Sequence, residues 1–248
     1  QNFPKASPAA LAEAHFLLGR AAFDQGDFKS SISHMAEAKT LDPQKYGEQV
    51  NVLSVLSYHK LQDVNKLKEA LETLQKENPS AVARVPDVIP AWLGLQAYGM
   101  KDLETADKYM TWATQNDQLQ NVKKVIWRNL AKVRLALRKY DRALVASNNF
   151  LKDEDQPYRR ADGMLDKASI LLGLGKYADA RKTAEDALAL GVEGPLMASL
   201  KIVLGDISYA EKKFDEAAKH YGVTAELFVN DAELKPKALF KAAEALDK

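Results

Sequence analysis

Lys176-Tyr177-Ala178-Asp179-Ala180-Arg181 decides the fold, because its aromatic side chain followed three residues on by a small one returns along the whole chain. The pair recurs as Phe28 and Ser31, Leu67 and Ala70, Leu103 and Ala106, Tyr140 and Ala143, and Phe214 and Ala217. Successive small residues are separated by 39, 36, 37, 37 and 37 positions. A second small residue stands twelve positions ahead of the first, at Gly19, Gly94, Ala131, Ala168 and Gly205, with Ser54 sixteen ahead in its own repeat. Ala242 opens a seventh unit. A period of this size marks stacked supersecondary units. Small residues recur because two helices approach to about 8–10 Å only where little side chain stands at the crossing. The reading is an all-α chain, an α-solenoid of six antiparallel helical hairpins plus one extra helix.

Punctuation along the chain supports this. Helices are expected over 10–23 and 28–41, with Asp42-Pro43 as a stop, since proline cannot continue a helix and disfavours helical geometry before it. The second hairpin is expected over 49–61 and 64–76, with an internal turn four residues longer than the others. Then come 88–99 with 103–114, 123–137 with 140–151, 162–174 with 177–190, 196–210 with 214–227, and a lone helix over 234–246. No composition shift or low-complexity tract marks a boundary, so residues 1–248 read as one repeat domain. Its repeats fall at about 10–43, 47–79, 87–118, 123–155, 161–192 and 196–229, with a half repeat at 234–248.

Composition constrains purpose less than fold. Lys and Arg number 35 against 34 Asp and Glu, so no global field steers the chain toward nucleic acid or an acidic membrane. Cysteine is absent, which removes disulfides, thiolate catalysis and cysteine metal sites. No apolar run approaches the roughly 18 residues of a membrane span. A first residue that is Gln points to a processed or excised segment.

Leu18-Gly19, Gly26-Asp27-Phe28, Ala38 and Leu41-Asp42-Pro43 together resemble one complete tetratricopeptide repeat, in order. Leu204-Gly205 with Phe214 and Ala217, and Trp127, Leu130-Ala131, Tyr140 and Ala143, are similar to it too. The family's period is 34, and the links here run about three residues longer, as in related bacterial repeat arrays; the second repeat is the poorest match. Phe3-Pro4-Lys5-Ala6-Ser7 resembles the loop that closes a preceding repeat. The resemblance implies a right-handed superhelix whose first helices line a concave groove for peptides, extended segments or helices of partner proteins. It implies no catalysis. Members that clamp chaperone C-termini use Lys and Asn at places held here by Phe16, Arg20, Leu53 and Val88, so that ligand is not expected.

Projected on the family pattern, the groove rows hold Glu13, Phe16, Arg20 and Phe23, then Asn51, Val55 and Tyr58, then Ala91, Trp92, Leu95 and Tyr98. The family usually carries a polar residue where Trp92 stands. Trp92 either packs against an irregular link such as Val85-Pro86 or serves as an aromatic anchor, the kind of side chain that supplies interface hot spots of roughly 2 kcal/mol or more. Residues 121–143 carry eight basic side chains against the single acid Asp141. Lys124, Arg128 and Lys132 are four apart and share a helix face. That run is either a solvated face or an acceptor for an acidic segment or a C-terminal carboxylate. Trp112 sits on a second helix, where it either contacts another subunit or is half-covered by its neighbours.

His15, His34, His59 and His220 lie in four different helices, with no pair at the three- or four-residue spacing that aims two ligands from one helical face. Acid pairs such as Asp153/Asp155 and Glu211/Asp215 read as solvated charge, and no phosphate loop or nucleophile elbow occurs. No catalytic residue, cofactor or metal is expected. The expected function is a non-enzymatic protein-interaction scaffold with Trp92, Leu95, Tyr98, Arg128 and Lys132 as the partner-binding set, its partner a protein or peptide with an acidic segment. The alternative is an architectural module of a larger bacterial envelope or secretion assembly. A start without Met, the lack of cysteine and the closing loops point to an exported, periplasmic home, with the cytoplasm as the other choice.

Overall fold

The computed structural model describes residues 6–115, 120–228 and 231–248, the side chains of 120–122 excepted. Phe3-Pro4-Lys5 of the opening loop lies outside them. Every regular element among the described residues is helical, and the architecture is an α-solenoid. The chain divides into two compact units, Gln1–Met100 and Lys101–Lys248. In the first, α1 (Pro8–Asp24) pairs with α2 (Phe28–Leu41), α3 (Pro43–Lys60) packs on α2 and pairs with α4 (Val64–Glu77), and a 3-10 turn (Pro79–Arg84) leads to α5 (Val88–Gly99). In the second, α6 (Leu103–Ala113) packs on α7 (Gln120–Ala136), followed by the pairs α7 with α8 (Tyr140–Lys152), α9 (Pro157–Gly173) with α10 (Tyr177–Leu188), and α11 (Gly194–Ala210) with α12 (Phe214–Leu227). The last helix, α13 (Leu234–Leu246), packs on α12 and α11. No helix among the described residues is long and apolar enough to cross a membrane.

Several first helices begin earlier than the sequence reading places them. Pro43, expected only as a stop, opens α3, and Pro157 and Pro195 likewise stand in the first turns of α9 and α11. A proline in that turn forfeits no hydrogen bond and has its φ already set. Asp42 serves both sides of this junction: its N–H bonds Ala38 O, and its carboxylate accepts the Lys45 N–H at 3.0 Å.

The turns inside the hairpins repeat one geometry. A single residue with φ between 55° and 82° occurs at Gly26, Gln62, Lys101, Arg138, Gly175 and Lys212. The next N–H reaches back across the turn, as in Asp27 to Ala22 O (2.9 Å), Asp63 to Tyr58 O (3.1 Å) and Lys139 to Arg134 O (2.8 Å). This is the bond that satisfies the last open carbonyls of a helix when a left-handed residue follows it. Glycine enters that conformation without strain, whereas Gln62, Lys101, Arg138 and Lys212 hold it against about 1–2 kcal/mol of steric preference.

This landmark corrects the second repeat. Counting from Gln62 as from the other five, the paired positions are Val64 and Leu67, not Leu67 and Ala70, and the first-helix partner is Val55, not Ser54. The turn is no longer than the rest. Val55 and Leu67 are both fully buried, as are Ser31, Ala106, Ala143, Ala180 and Ala217 at the matching place. The second hairpin therefore has Val against Leu where others have Gly or Ala against a small residue, which is where it departs from the size pattern of the array.

Helix starts divide into two kinds. Asp27, Asp63 and Asp102 each cap their helix by accepting an N–H three residues on, at 3.0–3.2 Å. At the matching place in the later repeats stand Lys139, Lys176 and Lys213, with no side-chain cap. A lysine there gives up about 1 kcal/mol of capping. Two of the three recover an interaction elsewhere: Lys139 reaches Glu104 and Asp107, and Lys213 reaches Glu211.

Candidate partner-binding face

α5 turns Ile89, Pro90, Ala91, Leu93, Gly94 and Ala97 inward, which leaves Trp92, Leu95 and Tyr98 half-exposed at three-residue spacing. Trp92 has a ring for a neighbour: His59 at the end of α3 meets it edge-on, with centroids 5.4 Å apart and planes at 84°. The corrected register explains the contact, because it moves His59, not Tyr58, into the groove row. Burial, with Lys60 beside it, holds the His59 imidazole below its ordinary pKa, which favours an uncharged ring against the indole. Trp92 is thus propped in place while part of its face stays open.

The basic run of the second unit is neither a bare solvated face nor an open acceptor. Arg128 pairs with Asp162, and Lys132 Nζ lies 3.7 Å from Asp166 Oδ2, so two bases on α7 meet two acids on α9. Arg134 is 7% exposed; its Nε donates to Asp107 Oδ1 at 2.8 Å, its Nη2 to Thr111 Oγ1 at 2.8 Å and its Nη1 to the Arg142 carbonyl at 3.2 Å. Lys139 Nζ sits 2.9 Å from Asp107 Oδ2 and 2.7 Å from Glu104 Oε2. Lys124 donates to the Asp153 carbonyl. The local charge excess is largely spent on binding neighbouring repeats to one another.

Burial pulls the Asp107 carboxyl up, and the hydrogen bonds and charges of Arg134 and Lys139 outweigh it, leaving its pKa below the usual range. Asp166 goes the other way: desolvation dominates the nearby Lys132 and Arg128, and its pKa is pushed up to about 6. A carboxyl whose folded pKa exceeds its unfolded value favours the fold most below the unfolded value, and that contribution is lost as pH rises through the folded one. Asp166→Asn should therefore stabilise the chain by about 1–2 kcal/mol at pH 7.5 and make no difference near pH 3. Urea melts of both proteins across that range check it; equal midpoints at pH 7.5 refute it.

Trp112 is half-buried and stacks on Tyr109, with centroids 6.1 Å apart and planes at 30°, so its own neighbour covers it. Glu211, read from sequence as solvated, is bound by Arg181 at 2.7 Å, and Arg181 also holds Glu216 at 2.6 Å. Among the described residues no group of three or more His, Cys, Asp or Glu side chains is placed to hold a metal ion.

Family models described as the tetratricopeptide repeat match residues 12–45 and 165–226. No curated protein matches the sequence. Among solved structures, the chain resembles one of Naa15/Naa10 bound to HypK-THB, at TM-score 0.59 and 14% identity over 97% of this chain and 34% of that one. It also resembles the apo form of RapI, at TM-score 0.53 and 15% identity over 96% and 71% of the two chains. PilW, a widely conserved type IV pilus biogenesis factor, matches at TM-score 0.51 and 15% identity over 92% and 98%. At these identities the likeness is one of fold.

Proposed function

Because the chain is an array of tetratricopeptide repeats, we propose that it is a non-enzymatic scaffold that holds an extended segment or helix of a partner protein on the faces of its first helices. The observation that carries this reading is Trp92: a large aromatic, half-exposed on a first helix, propped by His59 and flanked by the half-exposed Leu95 and Tyr98. A rigid, partly open indole is the kind of group around which interface energy concentrates. In the second unit Arg128 and Lys132 enter the proposal as a row of alternating charge with Asp162 and Asp166, suited to a segment carrying both carboxylates and donors. An acidic partner would compete with those two aspartates for the same cations.

The test is affinity capture by the wild-type chain, by Trp92→Ala, and by Arg128→Glu with Lys132→Glu, each first shown equally helical by circular dichroism. A partner retained by wild type and lost by more than about tenfold with Trp92→Ala supports the anchor. Equal retention by Trp92→Ala rejects it. Loss confined to the charge variant would transfer the binding role to the second unit.

A further inference from the structure

We propose that His15 and His34 form a binding site for a divalent transition-metal ion that favours imidazole, with Cu2+ ahead of Ni2+ and Zn2+. Helical spacing hides this pair, because one histidine is on α1 and the other on α2. Their Nδ1 atoms face each other 3.1 Å apart, with ring centroids 5.3 Å apart and planes at 42°. Both rings are half-buried, so an ion can reach them from solvent.

At 3.1 Å the nitrogens stand at hydrogen-bonding distance, and with the centroids 5.3 Å apart the rings meet almost head-on; turned so that both lone pairs converge to one side, they keep a spacing that suits two ligands on one ion. Nitrogens each about 2.0–2.1 Å from a shared metal stand about 3 Å apart when they subtend an angle between a right angle and a tetrahedral one. Without an ion, two neutral imidazoles facing through Nδ1 can share only one proton, one ring donating and the other accepting. With an ion, both Nδ1 lone pairs coordinate and each ring carries its proton on Nε2.

The hairpin holds the two side chains side by side. His15 stands one helical turn before Gly19, and a Cβ on Gly19 would lie 3.0 Å from Met35 Cγ and 3.2 Å from the Met35 nitrogen. His34 is the residue before Met35, so both imidazoles spring from the closest approach of α1 and α2. That approach is fixed by Ala12, Met35 and Ala38, all essentially without exposure. No third carboxylate or imidazole joins them among the described residues, so water completes the coordination and the ion is exchangeable.

The experiment is calorimetric titration of tag-free full chain with Cu2+, Ni2+ and Zn2+ salts, alongside thermal melts with and without Zn2+. The expected result is one ion per chain in the order given, a raised melting temperature, and affinity lowered more than about tenfold by His15→Gln or His34→Gln, because a lone imidazole forfeits the chelate. Glutamine keeps a polar side chain able to bond its neighbour, and circular dichroism confirms that the hairpin persists. His59→Gln and His220→Gln should bind as wild type does. Absence of saturable binding in wild type, or binding that survives His15→Gln unchanged, overturns the proposal.

Discussion

Asp107→Ala is expected to destabilise the second unit by about 3–5 kcal/mol, the loss that follows when one member of a buried ion pair is removed and its partner stays behind. The partner is Arg134, only 7% exposed, whose guanidinium would keep Thr111 and the Arg142 carbonyl but lose its counter-charge. Lys139 would keep Glu104 alone. Because the Asp107 carboxyl lies below its ordinary pKa, its contribution is present above the unfolded value and fades as pH falls through the folded one, so variant and wild type should converge in strong acid. The next interface supplies the control. The positions matching Asp107 and Arg134 one repeat on are Leu144 and Leu171, which belong to one apolar cluster. One repeat further the places are held by Arg181 and Ser208, whose guanidinium and hydroxyl are 3.2 Å apart. The same geometric slot thus accepts an ion pair, two leucines, or a reversed charge. Asp107→Leu with Arg134→Leu should accordingly fall within about 1 kcal/mol of wild type or exceed it. Urea denaturation of the full chain reads both variants; a single substitution that loses less than the double one would refute the account.

That slot also shows what was legible beforehand and what was not. The period, the helix pairs and nearly every small contact position follow from residue size, because a close helix crossing demands it at fixed intervals. The second repeat escapes a reading by size, because Val55 against Leu67 carries no small residue; the left-handed Gln62, a glutamine like any other in sequence, restores the register. Trp92 is legible because an indole is rare on that row, whereas its contact with His59 follows only from the register set by Gln62. The basic run hides its acids because they stand one repeat further on, on α9. Arg128 and Lys132 are four apart on α7, and Asp162 and Asp166 are four apart on α9, so matching charge spacings between successive repeats was the available signal. Nothing comparable announces His15 and His34, whose meeting is set by the hairpin crossing alone.

Gly205→Ala should destabilise by about 2–3 kcal/mol even though alanine is the better helix former. A Cβ there would fall 2.3 Å from Tyr221 Cε1 and 2.7 Å from Cδ1, inside any tolerable contact, so the ring or the helix must move. The ring is held at both ends. Tyr221 is 2% exposed among Ile202, Ala217 and Ala245, and its hydroxyl donates to Asp206 Oδ1 at 2.7 Å, an oxygen that Lys241 also binds at 2.6 Å. Gly19→Ala meets Met35 instead, with Cγ at 3.0 Å and both Cε and the backbone nitrogen at 3.2 Å; the thioether chain can yield but the nitrogen moves only with its helix, so a smaller loss of about 1 kcal/mol is expected. The second hairpin shows that the fold accepts bulk at this crossing when both sides are matched, as Val55 and Leu67 are. Pairing Gly205→Ala with Tyr221→Leu should therefore recover at least about 1 kcal/mol relative to the sum of the single changes. Thermal and urea melts of the four proteins measure that coupling; additive losses would mean that the cost at Gly205 does not come from its contact with the Tyr221 ring.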